Sequence, residues 1–472
     1  MDWDDYRRWA KDIADWGAQY HKTIRDLPVR AQTKPGDIAA QLADHAPEQG
    51  QDMRDIWNDF QSIVLPGMTH WQHPRFFAYF PANATPPSML AEQVASIMAA
   101  QCMLWQTSPA ATEMETKTLD WLRQAVGLDA GFAGVIQDSA SGATLAAVLT
   151  MRERALNWSG NSAGLSAQPR LRIYCSGEVH SSIDRAVWIS GIGGDNIVRI
   201  PVTGPLRSMD PAALRRAISD DIAAGFTPAG IIACVGATGM GACDDINAVM
   251  DVADEFALFT HIDAAWAGSA MICPQYRHLW QGVDRADSVV FNPHKWLGVQ
   301  FDCCAHFLKS PADLAKTLAI QPEYLKTHGA GGFINYSEWS VPLGRRFRAL
   351  KLWFMLRNYG LAELRRRIGN HVAWAEHMAN RLSQTPNFEI VTNPILSLFT
   401  FRFAPQGARD LNDLNQRLVD AINDDGRTYV TQTLIDGAKV IRFSIGQFDT
   451  TLADLDMAYD VICDIAQTLD RT

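Results

Sequence analysis

The feature that most constrains the fold is an alternation of short β-rich runs with helical stretches between about residues 85 and 350. Helical stretches such as PAALRRAISDDIAAG and INAVMDVADEFA separate the runs. This alternation predicts a parallel sheet with helices on both faces. The runs are continuously apolar, as in strands buried on both faces; they are LRIYCS (171–176), GIIACVG (230–236), LFTHID (258–263) and SVVF (288–291).

The two flanking regions differ from this central pattern. Residues 1 to about 65 show helical spacing of Trp3, Tyr6 and Ile13, but too few apolar positions for a core of their own. We expect this segment to pack on something else, with a partner subunit as a candidate. After about residue 351 the pattern is helical, and short strands are predicted at 396–403 and 438–445. The predicted domains are therefore 1–85, 86–350 and 351–472.

Composition and charge exclude several classes of protein. With 42 basic and 52 acidic residues the chain has a net charge of −10, so nothing attracts it globally to nucleic acid or to anionic lipid. The sequence contains no stretch of about 18 uncharged apolar residues, so it predicts no membrane span. The first 16 residues are charged throughout and do not resemble a signal peptide.

Cysteine usage indicates the compartment. None of the eight cysteines forms a CxxC pair, and most lie in apolar runs. This pattern predicts buried free thiols in a reducing compartment, without disulfides or a metal site. We therefore expect a cytoplasmic location.

Four polar residues follow the predicted strands or open a helix, where ligands of parallel sheets bind. Asp263 ends LFTHID, Lys295 lies in FNPHKW, His180 in GEVHSS, and Ser141 at the start of the helix in DSASGATLAAVLTMRER. One ligand would account for all four: anionic at one end, an aromatic heterocycle in the middle, and an aldehyde near the lysine. Pyridoxal phosphate has these three parts.

Each of these residues also has an ordinary structural explanation. A serine at a helix start is commonly an N-cap, although a helix start with small residues also binds phosphate through its free N–H groups. A lone lysine after a strand usually extends to solvent. In apolar surroundings, however, desolvation favours the neutral amine, which is the form that makes a Schiff base. An aspartate there can cap the next helix or hold a pyridine nitrogen protonated. A lone histidine is most often a satisfied core or cap residue.

Together, in their order and spacing, these segments resemble the pyridoxal-phosphate group II decarboxylases, most closely the aromatic-L-amino-acid decarboxylases. The resemblance is dense from about 60 to 450. The matching segments are HPRFFAYFPA (73–82), SPAATEMETKTLDWL (108–122), IQDSASGATLAA (136–147), VHSSIDRA (179–186), THIDAAWAGSAMICP (260–274), ADSVVFNPHKWLGVQFDC (286–303), PEYLK (322–326) and PLGRRFRALKLWF (342–354).

The resemblance implies a fold type I pyridoxal-phosphate enzyme. Its large domain would hold a mostly parallel seven-stranded sheet, with an N-terminal helical segment and a small C-terminal α+β domain. It also implies a homodimer with active sites at the interface, and decarboxylation of an L-amino acid, expected to be aromatic, to the amine and carbon dioxide.

The resemblance also implies roles for single residues. Lys295 would form the Schiff base with the cofactor, Asp263 would pair with the pyridine nitrogen, and Ala265 and His180 would lie on the two faces of the ring. The phosphate would be held by Ala140, Ser141 and Asn292. Thr238 matches a cofactor-site threonine of the family, but Ala237 stands where a second threonine is usual. Tyr324, on a catalytic loop, would help deliver a proton to the α-carbon, with His180 as a candidate assistant.

The expected substrate pocket comprises Phe80, Pro81, Ala82, Gln101 and Met103. It departs from the animal enzymes of the family. Ala82 replaces a threonine, and Gln101 and Met103 replace an aliphatic and an aromatic residue. The sequence does not choose among the aromatic amino acids.

Three alternatives remain at this level. Some relatives convert the same substrates to aldehydes with oxygen, and these typically carry phenylalanine at the loop tyrosine or a changed stacking histidine. Tyr324 and His180 are both present, which favours decarboxylation. A second alternative is a decarboxylase of a non-aromatic amino acid. A third is an inactive binding protein, which would usually have lost Lys295 or Asp263.

Overall fold

The computed structural model of the chain describes residues 1–320 and 333–470. They form two compact units, one of residues 82–372 and one of residues 1–81 with 373–472. The predicted three-domain division stays a prediction.

Fourteen α-helices and thirteen strands are present in the described ranges. The helices are α1 (Trp3–Thr23), α2 (Met53–Asp59), α3 (Pro86–Met98), α4 (Pro109–Val126), α5 (Ala140–Ala155), α6 (Gly160–Ala163), α7 (Ser182–Ile189), α8 (Pro211–Ala223), α9 (Ile246–Phe256), α10 (Pro293–Trp296), α11 (Pro311–Leu318), α12 (Arg348–Ser383), α13 (Leu411–Asp425) and α14 (Leu452–Asp470). The strands are β1 (Ala133–Gln137), β2 (Leu171–Ser176), β3 (Ile197–Ile200), β4 (Val202–Thr203), β5 (Ser208–Met209), β6 (Thr227–Cys234), β7 (Phe259–Asp263), β8 (Ser288–Phe291), β9 (Cys304–Leu308), β10 (Phe388–Ile395), β11 (Leu398–Phe403), β12 (Thr431–Ile435) and β13 (Ala438–Ser444).

The unit of residues 82–372 is built on a seven-stranded sheet in the order β1-β9-β8-β7-β6-β2-β3. The five strands from β8 to β3 pair in parallel, and β9 pairs antiparallel with both β8 and β1. The predicted α/β fold with a mostly parallel sheet is thereby confirmed.

Predicted and observed strands agree closely at the centre of this sheet. β2 and β8 have the predicted bounds, β7 begins one residue later than predicted, and β6 begins three residues earlier and ends at Cys234. β1, β3 and β9 were not recognised from their residues. β1 and β3 are partly exposed and lack a continuous apolar run, whereas β9 is fully buried but interrupted by His306.

The register of the central strands brings their carboxyl ends to one level. Cys234 of β6 is opposite Asp263 of β7, which is opposite Val290 of β8. Beyond these pairs the amide of Val235 donates to the Asp263 carbonyl oxygen at 2.9 Å. The amide of Ala264 donates to the Val290 carbonyl oxygen at 3.0 Å. The loops that follow the three strands therefore leave the sheet side by side.

Helix boundaries around this sheet have local causes. α8 begins after Asp210, whose carboxylate accepts from the amides of Ala212 and Ala213, with proline at the first helical position. α4 ends at Val126. The following Gly127 adopts a left-handed conformation at φ +84° that residues with a Cβ rarely adopt. α12 is interrupted at Gly360, where φ and ψ are not helical.

The second unit contains α1 and α2, a four-stranded antiparallel sheet in the order β10-β11-β13-β12, and the helices α13 and α14. Six phenylalanines lie in its mainly aliphatic core, where Phe77 stacks on Phe443 at 4.3 Å between ring centroids. No residue of α1 is buried, and Trp3 is 82% exposed. Trp9 and Trp16 of α1 are half-buried against Trp57, so the apolar face of α1 is only partly covered within this unit.

Two general expectations can be compared with the structure. All eight cysteines are buried and unpaired, which confirms the predicted free thiols. Among the described residues no helix combines the length and apolar character needed to cross a membrane.

Candidate active site

The site is assembled where β6, β7 and β8 end. The loop after β6 carries Thr238, which is half-buried; β7 ends in Asp263; and β8 is followed by Asn292 and Lys295. Because these strands are adjacent and parallel, residues far apart in sequence meet at one edge.

Asn292 connects two parts of this edge. Its amide donates to the Ala265 carbonyl oxygen at 2.8 Å, and its side-chain Oδ1 accepts from the amide of Ala140 at 3.1 Å. Ala140 belongs to a buried cluster with Ala143, Val290 and Cys304, against which Ala265 packs. Since Oδ1 of Asn292 accepts from Ala140, its Nδ2 group is oriented as a donor.

The start of α5 is shaped by small residues. The Ser139 hydroxyl caps the helix by accepting from the amide of Gly142 at 3.1 Å. A Cβ on Gly142 would crowd Oδ1 of Asp138, so a larger residue here would displace that carboxylate. Ser141, between them, is exposed on the first turn.

Asp263 is the buried carboxylate of the site. It is 7% exposed, and its Oδ1 accepts from the amide of Ala265 at 3.0 Å. Burial raises its pKa, while the Ala265 amide and the charges of Lys295 and His180 lower it in part. Three residues singled out in the sequence thus act on one another electrostatically.

His180 follows β2 and is exposed at the entrance of α7. Its Nδ1 accepts from the amide of Ser182 at 3.1 Å and lies 2.9 Å from the Ser182 hydroxyl. Because Nδ1 accepts, the proton of the neutral ring is on Nε2. Partial desolvation lowers the pKa of His180, so the ring favours its neutral form.

Lys295 lies on the short helix α10, and its amide donates to the Asn292 carbonyl oxygen at 2.9 Å. The residue is half-buried between fully packed neighbours. Trp296 is buried, and its Nε1 donates to Nδ1 of His371 at 2.8 Å. The lysine therefore projects from a turn that is anchored on both sides.

The predicted substrate-pocket residues are divided between the two units. Phe80 and Pro81 belong to the unit that contains residues 1–81, whereas Ala82 begins the other unit. In the latter, Oε1 of Gln101 accepts from the amide of Arg345 at 2.7 Å, and the Met103 carbonyl oxygen accepts from Ser337 at 3.0 Å. Tyr324 lies outside the described residues.

A buried ion pair that no sequence motif indicates lies beside this segment. Arg345 and Glu115 are 2% and 3% exposed and form two side-chain contacts, at 2.6 and 3.1 Å. Arg345 also donates to the carbonyl oxygens of Cys102 and Ile136. The pair fixes the 101–103 segment next to β1. Both residues lie in motifs that carried the family resemblance, but nothing in the pattern paired them.

Comparison with known proteins yields consistent similarities over the whole chain. Residues 35–404 match the family model of the pyridoxal-dependent decarboxylase conserved domain. The chain is 37% identical to the aromatic-L-amino-acid decarboxylase of Mus musculus, covering 100% of this chain and 99% of that protein. It is 38% identical to a phenylacetaldehyde synthase of Arabidopsis thaliana, covering 94% and 92%. The crystal structure of Oryza sativa TDC with PLP and tryptamine has a TM-score of 0.96 at 34% identity, covering 99% of each chain.

Proposed function

Because the chain belongs to the family of pyridoxal-dependent decarboxylases, we propose that it converts an aromatic L-amino acid to the corresponding amine and carbon dioxide. The cofactor of the family is pyridoxal phosphate, and the reaction class is that of a carboxy-lyase. The observation that carries the proposal is the buried carboxylate of Asp263 at the end of β7, which interacts electrostatically with Lys295 and His180.

The residues at this edge of the sheet suit the cofactor. A buried carboxylate needs a cationic or N–H partner, which a protonated pyridine nitrogen provides. Ala265 is small and half-buried beside it. The exposed Ser141 on the first turn of α5 and the Nδ2 group of Asn292 can bind a phosphate. The amine of Lys295 can hold an aldehyde covalently.

When bound, pyridoxal phosphate supplies an electron-accepting ring for the charge left as carbon dioxide departs. Asp263 keeps the ring nitrogen protonated, and His180 presents a neutral ring that can stack without repelling a cation. The turn of α10 fixes where the Lys295 amine lies. We assign to Tyr324 the delivery of a proton to the α-carbon, because its phenol is a donor that phenylalanine lacks.

The substrate class rests on relatives that align over nearly the full chain, among them the aromatic-L-amino-acid decarboxylase. The decisive experiment is turnover of the purified holoenzyme on all twenty common amino acids, dihydroxyphenylalanine and 5-hydroxytryptophan, with carbon dioxide and amine measured together. We expect turnover of aromatic substrates at least about tenfold above the rest, which corresponds to about 1.4 kcal/mol of discrimination. Faster turnover of an acidic or aliphatic amino acid would reject the aromatic assignment.

An aldehyde synthase is the second candidate, favoured by the 38% identity to phenylacetaldehyde synthase. The presence of Tyr324 argues for amine formation by this chain. Tyr324→Phe keeps the ring but removes the proton donor, so we expect aldehyde, ammonia and peroxide from the variant under air and amine from the parent. Unchanged amine yield without aldehyde would remove Tyr324 from the mechanism, and aldehyde from the parent would establish the second candidate.

We further propose a homodimer in which residues 1–65 wrap over the partner and residues near Gln101 and Met103 enter the partner's site. Two partly exposed apolar faces support it: α1 has no fully buried residue, and α3 exposes Leu90 and Ile97 by 57% and 62%. Sedimentation at micromolar concentration is expected to give a dimer, and a fully active monomer would contradict the proposal. Eight unpaired buried thiols support a cytoplasmic location.

A further inference from the structure

The turn that carries Lys295 has carbonyl groups that its own helix cannot satisfy. α10 is four residues long, from Pro293 to Trp296. The last carbonyl groups of a helix have no partner within it, and leaving them unpaired in a buried place costs stability. The carbonyl oxygens of His294 and Lys295 fall in this class.

Asn83 satisfies both of these carbonyl groups. Its backbone amide donates to the His294 oxygen at 3.0 Å, and its side-chain Nδ2 donates to the Lys295 oxygen at 2.6 Å. Asn83 is only 1% exposed. Its side chain therefore binds the main chain of the very residue that holds the cofactor, from a position 212 residues away.

The residues after Asn83 bind the backbone that follows α10. The amide and hydroxyl of Thr85 both donate to the Gly298 oxygen, at 3.1 and 2.9 Å. The hydroxyl of Ser88 accepts from the amide of Gln300 at 2.6 Å. These contacts lie beyond the end of α10, whereas Asn83 contacts Lys295 itself.

We propose that Asn83 is a positioning residue for Lys295: by binding the Lys295 carbonyl group it fixes the direction in which the lysine side chain leaves α10. This inference rests on the proposed role of Lys295. Asn292 holds the other end of the turn, since its carbonyl oxygen accepts from the Lys295 amide at 2.9 Å. α10 is thus held by Asn292 on one side and by Asn83 on the other, and a small displacement of the amine is costly for reactions at its Nζ.

The test compares Asn83→Ala with Thr85→Val as a matched control. Each substitution removes one buried side-chain donor to a carbonyl oxygen, so both should lower the thermal midpoint of the apoprotein to a similar extent. Thr85→Val leaves the Thr85 amide on Gly298. We expect Asn83→Ala alone to lower kcat by about tenfold or more with KM changed less than about threefold.

Two further readouts separate positioning from stability. The first is the pH midpoint of the near-visible absorption of the holoenzyme, and the second is the rate at which borohydride fixes the cofactor to Lys295, located by mass spectrometry. We expect Asn83→Ala to shift the midpoint by about 0.5 pH unit or more and Thr85→Val to leave it in place. Asn83→Asp keeps the size and the backbone bond to His294. Its negative charge should raise the midpoint, and it serves as the test variant if Asn83→Ala does not fold.

The outcomes distinguish this inference from the proposed function. If borohydride fixes the cofactor to Lys295 in the parent, and the Asn83 variants match Thr85→Val in kcat, midpoint and fixation rate, the positioning role is wrong and the proposed function stands. If the cofactor in the parent is fixed at another residue, the role of Lys295 falls and the inference with it. A selective change in the Asn83 variants supports the inference.

Discussion

The middle and the carboxyl end of the central strands both bury polar side chains, yet they use them differently. In the middle, His261 of β7 and Ser288 of β8 lie 2.8 Å apart, and Ser288 contacts Nε2 of His306 on β9, also at 2.8 Å. Nε2 of His261 lies 3.2 Å from the Thr144 hydroxyl. Two residues further along β7, Asp263 is also buried. Its carboxylate accepts from the Ala265 amide of the following loop, and its pKa is lowered in part by Lys295 and His180.

The chain in the middle, which we call the histidine chain (Thr144, His261, Ser288 and His306), has a preferred direction. His306 Nδ1 is buried and has no hydrogen-bond partner among the described residues. An unpaired acceptor is tolerated better than an unpaired N–H, so the proton of His306 is on Nε2 and donates to Ser288. Ser288 then donates to His261, and His261 to Thr144. Apart from Nδ1 of His306, the polar groups of the histidine chain bond to one another, whereas those at the strand ends face groups outside the sheet. Burial of a polar residue therefore indicates function only together with its position on the strand.

Lys295→Ala is the largest test of this comparison. The substitution removes the amine that we propose holds the cofactor, so we expect kcat to fall by about 10³-fold or more. The thermal midpoint of the apoprotein should change little, because the residue is half-buried and its backbone bonds to Asn292 and Asn83 remain. Substantial amine production by the purified variant would reject the assignment of the strand ends as the active site.

Asp263→Asn separates activity from stability at the same edge. In the proposed role, the carboxylate is the anionic partner of the pyridine nitrogen, so we expect its loss to lower kcat by about 10²-fold or more. Burial raises the pKa of Asp263 in the folded protein, so its contribution to stability is present below the unfolded pKa and is lost as the pH rises through the folded value.

At neutral pH the ionised carboxylate thus opposes folding of the apoprotein. Asparagine keeps the acceptor for the Ala265 amide and removes the charge, so the thermal midpoint of the apoprotein should rise by about 1–2 °C. A near-normal kcat would contradict the catalytic role, and a lowered midpoint would contradict the electrostatic account.

The motifs were enough to locate the strand ends, but not the contacts that organise them. Asp263 ends one of the apolar runs and Lys295 lies four residues beyond the end of the next, so a one-dimensional pattern finds them. The partners of those residues are remote: 212 residues separate Asn83 from Lys295, and 230 separate Glu115 from Arg345. Which remote side chain meets which backbone group depends on sheet order and register. The hydrogen bonds of His261 and His306 could likewise not be predicted, because a histidine inside an apolar strand does not indicate which side chain it will bond to.

Ser288→Ala tests the other half of the comparison. The hydroxyl links both histidines of the histidine chain, and its removal leaves buried groups unpaired, so the free energy of unfolding should fall by about 1–3 kcal/mol. We expect kcat of the holoenzyme to stay within about twofold of the parent. Ser219→Ala on α8 is the control, since that exposed hydroxyl donates only within its own helix and should change stability by less than about 0.5 kcal/mol. A large loss of kcat with unchanged stability would place the chain in the active site.

His306→Gln gives the smallest expected effect. It tests how much the histidine chain contributes to the loss of stability at acidic pH. Burial lowers the pKa of His306 to about 3, below the value of an unfolded histidine. A group with a lowered folded pKa stabilises the fold fully above the unfolded value, and that stability is lost as the pH falls from about 6.5 toward 3. Glutamine can still donate to Ser288 but does not titrate. In urea unfolding of the apoprotein we expect the pH dependence in this window to become shallower by at most about 1.4 kcal/mol per pH unit, the value for one proton. An unchanged slope would show that His306 is not neutral in the folded protein, and the proposed direction of the histidine chain would then be wrong.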